Sequence, residues 1–181
     1  MPPPEAATEA FTPLSCDPPE RVEVELQQAE FCCLACGHHF ELPTSCDFHH
    51  GEHVVRSLKL GELGRLQALD EPAVEEIIDI ANTSPLVAKL SVYTRDSLIG
   101  KTYLAIAHLA PDGTRFASGR KPDCPKCGDG HVSELRRTYN FQKFSPIRLR
   151  YHSWNRMAPA EKVALVEHWL QQFIDEDSGS L

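Results

Sequence analysis

An α+β fold is expected from the sequence on three grounds. Val22, Val24 and Leu26 alternate with Glu23, Glu25 and Gln27, which is the two-residue period of a half-buried strand. Segments 70–81 and 159–174 instead repeat their apolar residues every three or four positions, the period of an amphipathic helix. Two cysteine pairs, each followed by glycine and 87 residues apart, mark an antiparallel β core pinned from two distant points of the chain.

Each element follows from local chemistry. Residues 1–20 hold six of the fourteen prolines and few large apolar groups, so they read as a disordered leader. The strand starting at Arg21 runs into Phe31-Cys32-Cys33-Leu34-Ala35-Cys36. Val54 to Leu60 reads as a second strand, since Gly61 and Gly64 oppose a helix. Asp70 suits a helix cap and Pro72 a first turn, while Val74, Ile77, Ile78 and Ala81 share one face. Ser84-Pro85 ends that helix. Leu86 to Thr94 reads as a strand and Thr102 to Leu109 as another, with a buried helix as the alternative for the latter. Pro111 to Thr114 reads as a hairpin turn returning through Arg115 to Ser118. Tyr139 to Tyr151 reads as extended, with Pro146 at an edge or break. Pro159 opens a last helix bearing Val163, Val166, Leu170, Phe173 and Ile174, and 175–181 read as a frayed tail. The domain reading is one unit over 21–174: core halves at 21–42 and 115–156, an inserted helix-plus-hairpin unit at 43–114, and a C-terminal helix at 157–174.

Among 181 residues no run of about 18 apolar ones occurs, so no membrane span is expected. The N-terminus lacks the cationic and apolar stretches of a secretory signal, and a cytoplasmic protein is the expectation. The net charge of −8 is unevenly spread: residues 1–30 carry −6, 31–114 carry −5, 115–156 carry +7 and 157–181 carry −4. The basic stretch therefore meets either the chain's own acidic segments or an anionic partner.

Cys33-Leu34-Ala35-Cys36-Gly37 and Cys124-Pro125-Lys126-Cys127-Gly128 repeat one device. Two intervening residues let both thiolates face a point about 2.3 Å away, as a zinc ion requires. The following glycine permits a left-handed turn, and N–H groups of that turn can donate to the sulfurs. Lengthening the closed loop from about 15 to 87 residues costs roughly 1.5 kcal/mol, against on the order of 10 kcal/mol from binding zinc. Cys33, Cys36, Cys124 and Cys127 are therefore the expected ligands of one structural metal ion, zinc, with iron the alternative. Two unrelated pairs or buried thiols are the other reading.

These two motifs resemble the paired knuckles of zinc-ribbon and rubredoxin-like proteins, and more faintly the Yippee-type β-tent proteins, which pin two sheets with widely separated pairs. The resemblance covers about 25 residues and implies the same four ligands. It implies iron and electron transfer in the rubredoxin case, or zinc and docking on nucleoprotein in the ribbon case.

Cys46, His49 and His53 have spacings that suit three ligands of a second metal site, although solvated loop histidines produce the same pattern. His50-Gly51-Glu52 with Cys124 and Cys127 resembles the signature of zinc deaminases, where Glu shuttles protons. The glycines at 128 and 130 oppose the helix that such enzymes start there. No phosphate-binding loop or nucleophile elbow occurs.

Arg136, Arg137, Tyr139, Phe141, Lys143, Arg148, Arg150 and Tyr151 interleave cations with rings, as single-stranded nucleic acid binding needs. Buried rings with arginines paired to the acidic leader would give the same pattern. The functional expectation is a non-enzymatic structural-zinc accessory protein docking on nucleic acid or a nucleoprotein complex through this stretch. An adaptor meeting an acidic protein partner is the first alternative and a zinc deaminase the second.

Overall fold

The computed structural model describes residues 19–44, 51–59, 61–111 and 113–178. Its strands are β1 (Val24–Cys33), β2 (His39–Pro43), β3 (Glu52–Ser57), β4 (Leu63–Gln67), β5 (Phe116–Ala117), β6 (Val132–Phe144) and β7 (Ile147–Arg148). Its helices are α1 (Pro72–Thr83), α2 (Val92–Ile106) and α3 (Pro159–Ser178). The fold is α+β.

Two sheets form. One is antiparallel, in the order β2-β1-β6, and the other has the order β5-β3-β4-β7 with β7 parallel to β4. The first sheet buries Ala29, Phe31 and Cys33 of β1 against Val132 and Cys124, a small core of its own. The second sheet carries the larger core, where Val55, Leu66 and Ile147 meet Ile77, Leu98 and Leu170 of the helices.

Several expectations change. Segment 86–94 is not a strand: its first residues are a turn, and helix α2 begins at Val92. Ser91 caps it, its side-chain oxygen accepting the Thr94 N–H at 3.2 Å. The same helix absorbs 102–106, where Thr102 is fully buried because its hydroxyl donates to the Leu98 carbonyl one turn back at 2.8 Å. The β-branched and aromatic residues of both segments favour strand locally, and packing overrides them. The turn at 110–114 does close, with Gly113 N–H donating to Ala110 O at 2.8 Å, but it joins α2 to β5. The hairpin of this region is β3–β4, with Glu52 opposite Gln67 and Arg56 opposite Leu63. Residues 175–178 are helical, held by Gln171–Asp175 and Gln172–Glu176 bonds and by Lys101 Nζ at 3.0 Å from Asp177.

Asp70 lies in a single 3-10 turn, and Glu71 takes the cap position of α1, with Pro72 first in the helix as expected. Gly64 of β4 faces a ring: a Cβ there would sit 2.7 Å from Phe116 Cε1 and 3.0 Å from Leu149 Cδ2. Both neighbours are core residues with little room to retreat. Gly64→Ala is expected to cost about 1–3 kcal/mol, read as a lower urea midpoint at unchanged slope. A loss under about 0.5 kcal/mol would show that this core yields freely.

Candidate metal centre

The centre is built by register. Cys33 ends β1 opposite Val132, the first residue of β6, and Leu34 N–H donates to His131 O at 2.8 Å. This pairing sets the β1–β2 turn beside the loop that precedes β6. Both turns then close identically. Cys33 N–H donates to His38 O and Gly37 N–H to Cys33 O, each at 2.9 Å. Cys124 N–H donates to Asp129 O at 2.9 Å and Gly128 N–H to Cys124 O at 2.8 Å. Gly37 and Gly128 hold φ of 67° and 75°, the left-handed region where a Cβ is strained.

The four sulfurs lie within 4.8 Å of one another. Cys33 Sγ is 3.6 Å from Cys127 Sγ, and Cys36 Sγ is 3.7 Å from Cys124 Sγ. A regular tetrahedron of four metal–sulfur bonds of 2.3 Å has edges of about 3.8 Å, so the spacing fits a tetrahedral ion. Cys33 and Cys124 are buried, whereas Cys36 and Cys127 are exposed. Four cysteines are thus positioned to bind one metal ion.

The electrostatics fit the same reading. Burial pushes the Cys124 thiol up, but N–H groups of Cys127 and Lys126 and the neighbouring sulfurs outweigh it and bring it down to about 7. At Cys127 the Asp129 N–H favours the thiolate. The Cys36 sulfur, burial and the other two sulfurs nevertheless push it up to about 12. Cys36 is raised too, against the help of the His38 N–H. Four thiols at one point do not ionise together by themselves, and a cation among them removes the conflict.

The other predicted residues are placed differently. Cys46 and His49 lie outside the described residues, as does His50. His53 is on β3, its Nε2 3.4 Å from the Tyr103 hydroxyl. Glu52 is bound to Arg65 Nε, and Cys124 and Cys127 cluster with the other cysteine pair.

The basic stretch divides in two. Arg136, Arg137, Tyr139, Phe141 and Lys143 stand exposed on β6, an outer strand of its sheet. Each cation has a carboxylate from this chain: Arg136 meets Glu30 at 2.8 Å, Arg137 Glu134 at 3.2 Å and Lys143 Glu23 at 2.8 Å. Arg148 and Arg150 both reach Glu20, at 3.3 and 2.6 Å. Tyr151 does not belong to a surface: it is core, and its hydroxyl donates to Tyr103 O at 3.0 Å. Leu135, exposed on β6, is a surface residue that its apolar character hid among the cations.

Among the described residues no helix is long and apolar enough to cross a membrane. The chain is an α+β protein in which two turns bring four cysteines together in position to bind a metal ion. Comparison with protein-family models, curated proteins and solved structures finds no match.

Proposed function

We propose that this chain is a non-enzymatic protein completed by one structural zinc ion, and that it docks on a partner protein through side chains on β6. Four thiolates fill a tetrahedron and leave no open position for substrate, which supports a structural rather than a catalytic ion. Zinc suits a centre whose task is to join β1 to the loop before β6, because it takes four thiolates in a tetrahedron and undergoes no redox change.

The observation that carries the docking reading is a contrast on one strand. Every cation of β6 is already paired within the chain, while Tyr139 and Phe141 stand 97% and 57% exposed with Leu135 at 49%. Bare aromatic side chains beside arginines are the composition of protein-interface anchors. β6 is also irregular: its register against β1 shifts between Gln27 and Ala29 and again between Glu30 and Phe31. Such bulges and charges disfavour adding another strand, so the contact is made by side chains.

A second reading keeps nucleic acid. Exposed ion pairs contribute little, and phosphates can displace them, leaving Arg136, Arg137 and Lys143 beside rings that stack bases. One experiment separates the two. A photo-crosslinking phenylalanine analogue at Tyr139 is expected to give protease-sensitive, nuclease-resistant adducts in cells, and the same analogue at exposed Leu69 to give none. Nuclease-sensitive adducts would establish the nucleic-acid reading instead, and absence of adducts at Tyr139 would remove both.

A further inference from the structure

A cavity of about 370 Å³ lies between the end of α2, the segment after β7, and α3. Its size is within the range of small-molecule sites, about 300–1,000 Å³. Ile106, Leu109, Leu165 and Trp169 give it an apolar wall. Among the described residues its ionisable lining is Arg115, Arg150, His108, His152, His168 and Tyr151, with no carboxylate. In a chain with 26 acids against 18 lysines and arginines, two arginines and three histidines with no carboxylate among the described lining residues form a selective arrangement.

Not all of these groups are available. Arg150 is bonded to Glu20 and the Tyr151 hydroxyl to Tyr103 O. Arg115 is different. Its guanidinium lies over the Trp169 ring, 4.4 Å from the centroid, and its Nη1 is buried with no hydrogen-bond partner among the described residues. A guanidinium stacked on a ring presents its N–H edge to an acceptor, and two parallel N–H groups match a carboxylate. His108 adds a second donor. Its Nδ1 accepts the Arg150 backbone N–H at 3.0 Å, so the neutral ring carries its proton on Nε2. Nε2 too is buried without a partner among the described residues. Buried donors with nothing to donate to call for a missing acceptor.

We propose that this cavity binds an apolar monocarboxylate, the carboxylate held by Arg115 with help from His108 Nε2 and the tail laid against Ile106, Leu109, Leu165 and Trp169. A phosphate dianion would find one unengaged guanidinium and a wall of hydrocarbon that cannot solvate its remaining oxygens. A neutral acceptor would meet the Arg115 edge without the charge assistance and paired oxygens of a carboxylate. The proposal is independent of the metal centre and of the β6 surface.

The probe is octanoate, titrated into the intact purified chain and followed by the indole N–H signal of Trp169. Saturable shifts are expected. Octanamide, with the same tail and no charge, is expected to bind at least about tenfold more weakly. Arg115→Gln is expected to lose a similar factor while the signal of buried Trp154 stays in place, which reports an intact core. The octanamide comparison needs no variant and stands even if Arg115→Gln misfolds. Failure of octanoate to shift Trp169 saturably would overturn the proposal. So would equal affinity for the amide, or displacement of octanoate by an equal concentration of inorganic phosphate.

Discussion

Replacing Cys33 and Cys124 together by serine is expected to unfold the β2-β1-β6 sheet while leaving the helical part folded. The two buried ligands belong to a core whose other fully buried members are Ala29, Phe31 and Val132, with Phe40 and Leu42 only partly covered. So small a core does not support a sheet alone. A structural zinc ion supplies on the order of 10 kcal/mol, as much as the whole net stability of a domain, about 5–15 kcal/mol. The larger core contains neither knuckle, so its contacts among α1, α2, α3 and the second sheet are expected to survive the change. Amide exchange is the measurement. Protection is expected to vanish across 24–43 and 132–144 and to persist in α1 and α3. Removal of the metal by a chelator is expected to reproduce the pattern. Global unfolding would show that the sheets form one cooperative unit, and unchanged protection in β1 would show that the sheet needs no metal.

The second large effect lies at Trp154, which is fully buried where α1 and α3 converge. Its Nε1–H donates to Glu76 Oε2 on α1 at 2.9 Å, and Lys162 Nζ on α3 donates to the same oxygen at 2.6 Å. Lys162 also sits over the indole ring, 5.0 Å from the centroid. The Lys162 bond, and then the indole N–H, hold the Glu76 carboxyl below the usual carboxylate range despite some burial. Trp154→Ala removes the largest side chain of the core and leaves this pair without its third member. It is expected to cost about 3–5 kcal/mol, or roughly 6–20 °C in Tm for a chain of this size. Trp154→Phe keeps most of the volume and loses the hydrogen bond, and about 1–2 kcal/mol is expected. Thermal and urea melts of both variants check this. A loss under about 1 kcal/mol for Trp154→Ala would mean that the core repacks around the vacancy.

The knuckles were legible in the sequence because their chemistry is local: two residues between cysteines and a glycine at the left-handed position make the turn. The amphipathic periods of α1 and α3 were legible for the same reason. Helix α2 was not. Val92, Tyr93 and Thr94 at its start and Thr102 and Tyr103 near its end favour strand by propensity, and only burial of Leu98 and Ile99 against α3 and the second sheet makes the helix. Ser91, three residues before Thr94, was the one local signal. The charge imbalance pointed to contacts between the basic stretch and the acidic start of the chain. It did not reveal that β6 would set Arg136 opposite Glu30 and Lys143 opposite Glu25 while bonding Glu23, because strand register is a non-local property. The cavity beside Trp169 was invisible for the same reason: Arg115, His108 and Leu165 come from separate segments and no spacing links them.

Whether the four cysteines hold one zinc ion is decided by metal content together with X-ray absorption at the zinc edge. One zinc per chain surrounded by four sulfurs at about 2.3 Å is expected, with loss of that signal in the Cys33→Ser, Cys124→Ser variant. Nitrogen or oxygen in the first coordination shell, iron in place of zinc, or less than a tenth of an equivalent of any metal in freshly purified chain would contradict it.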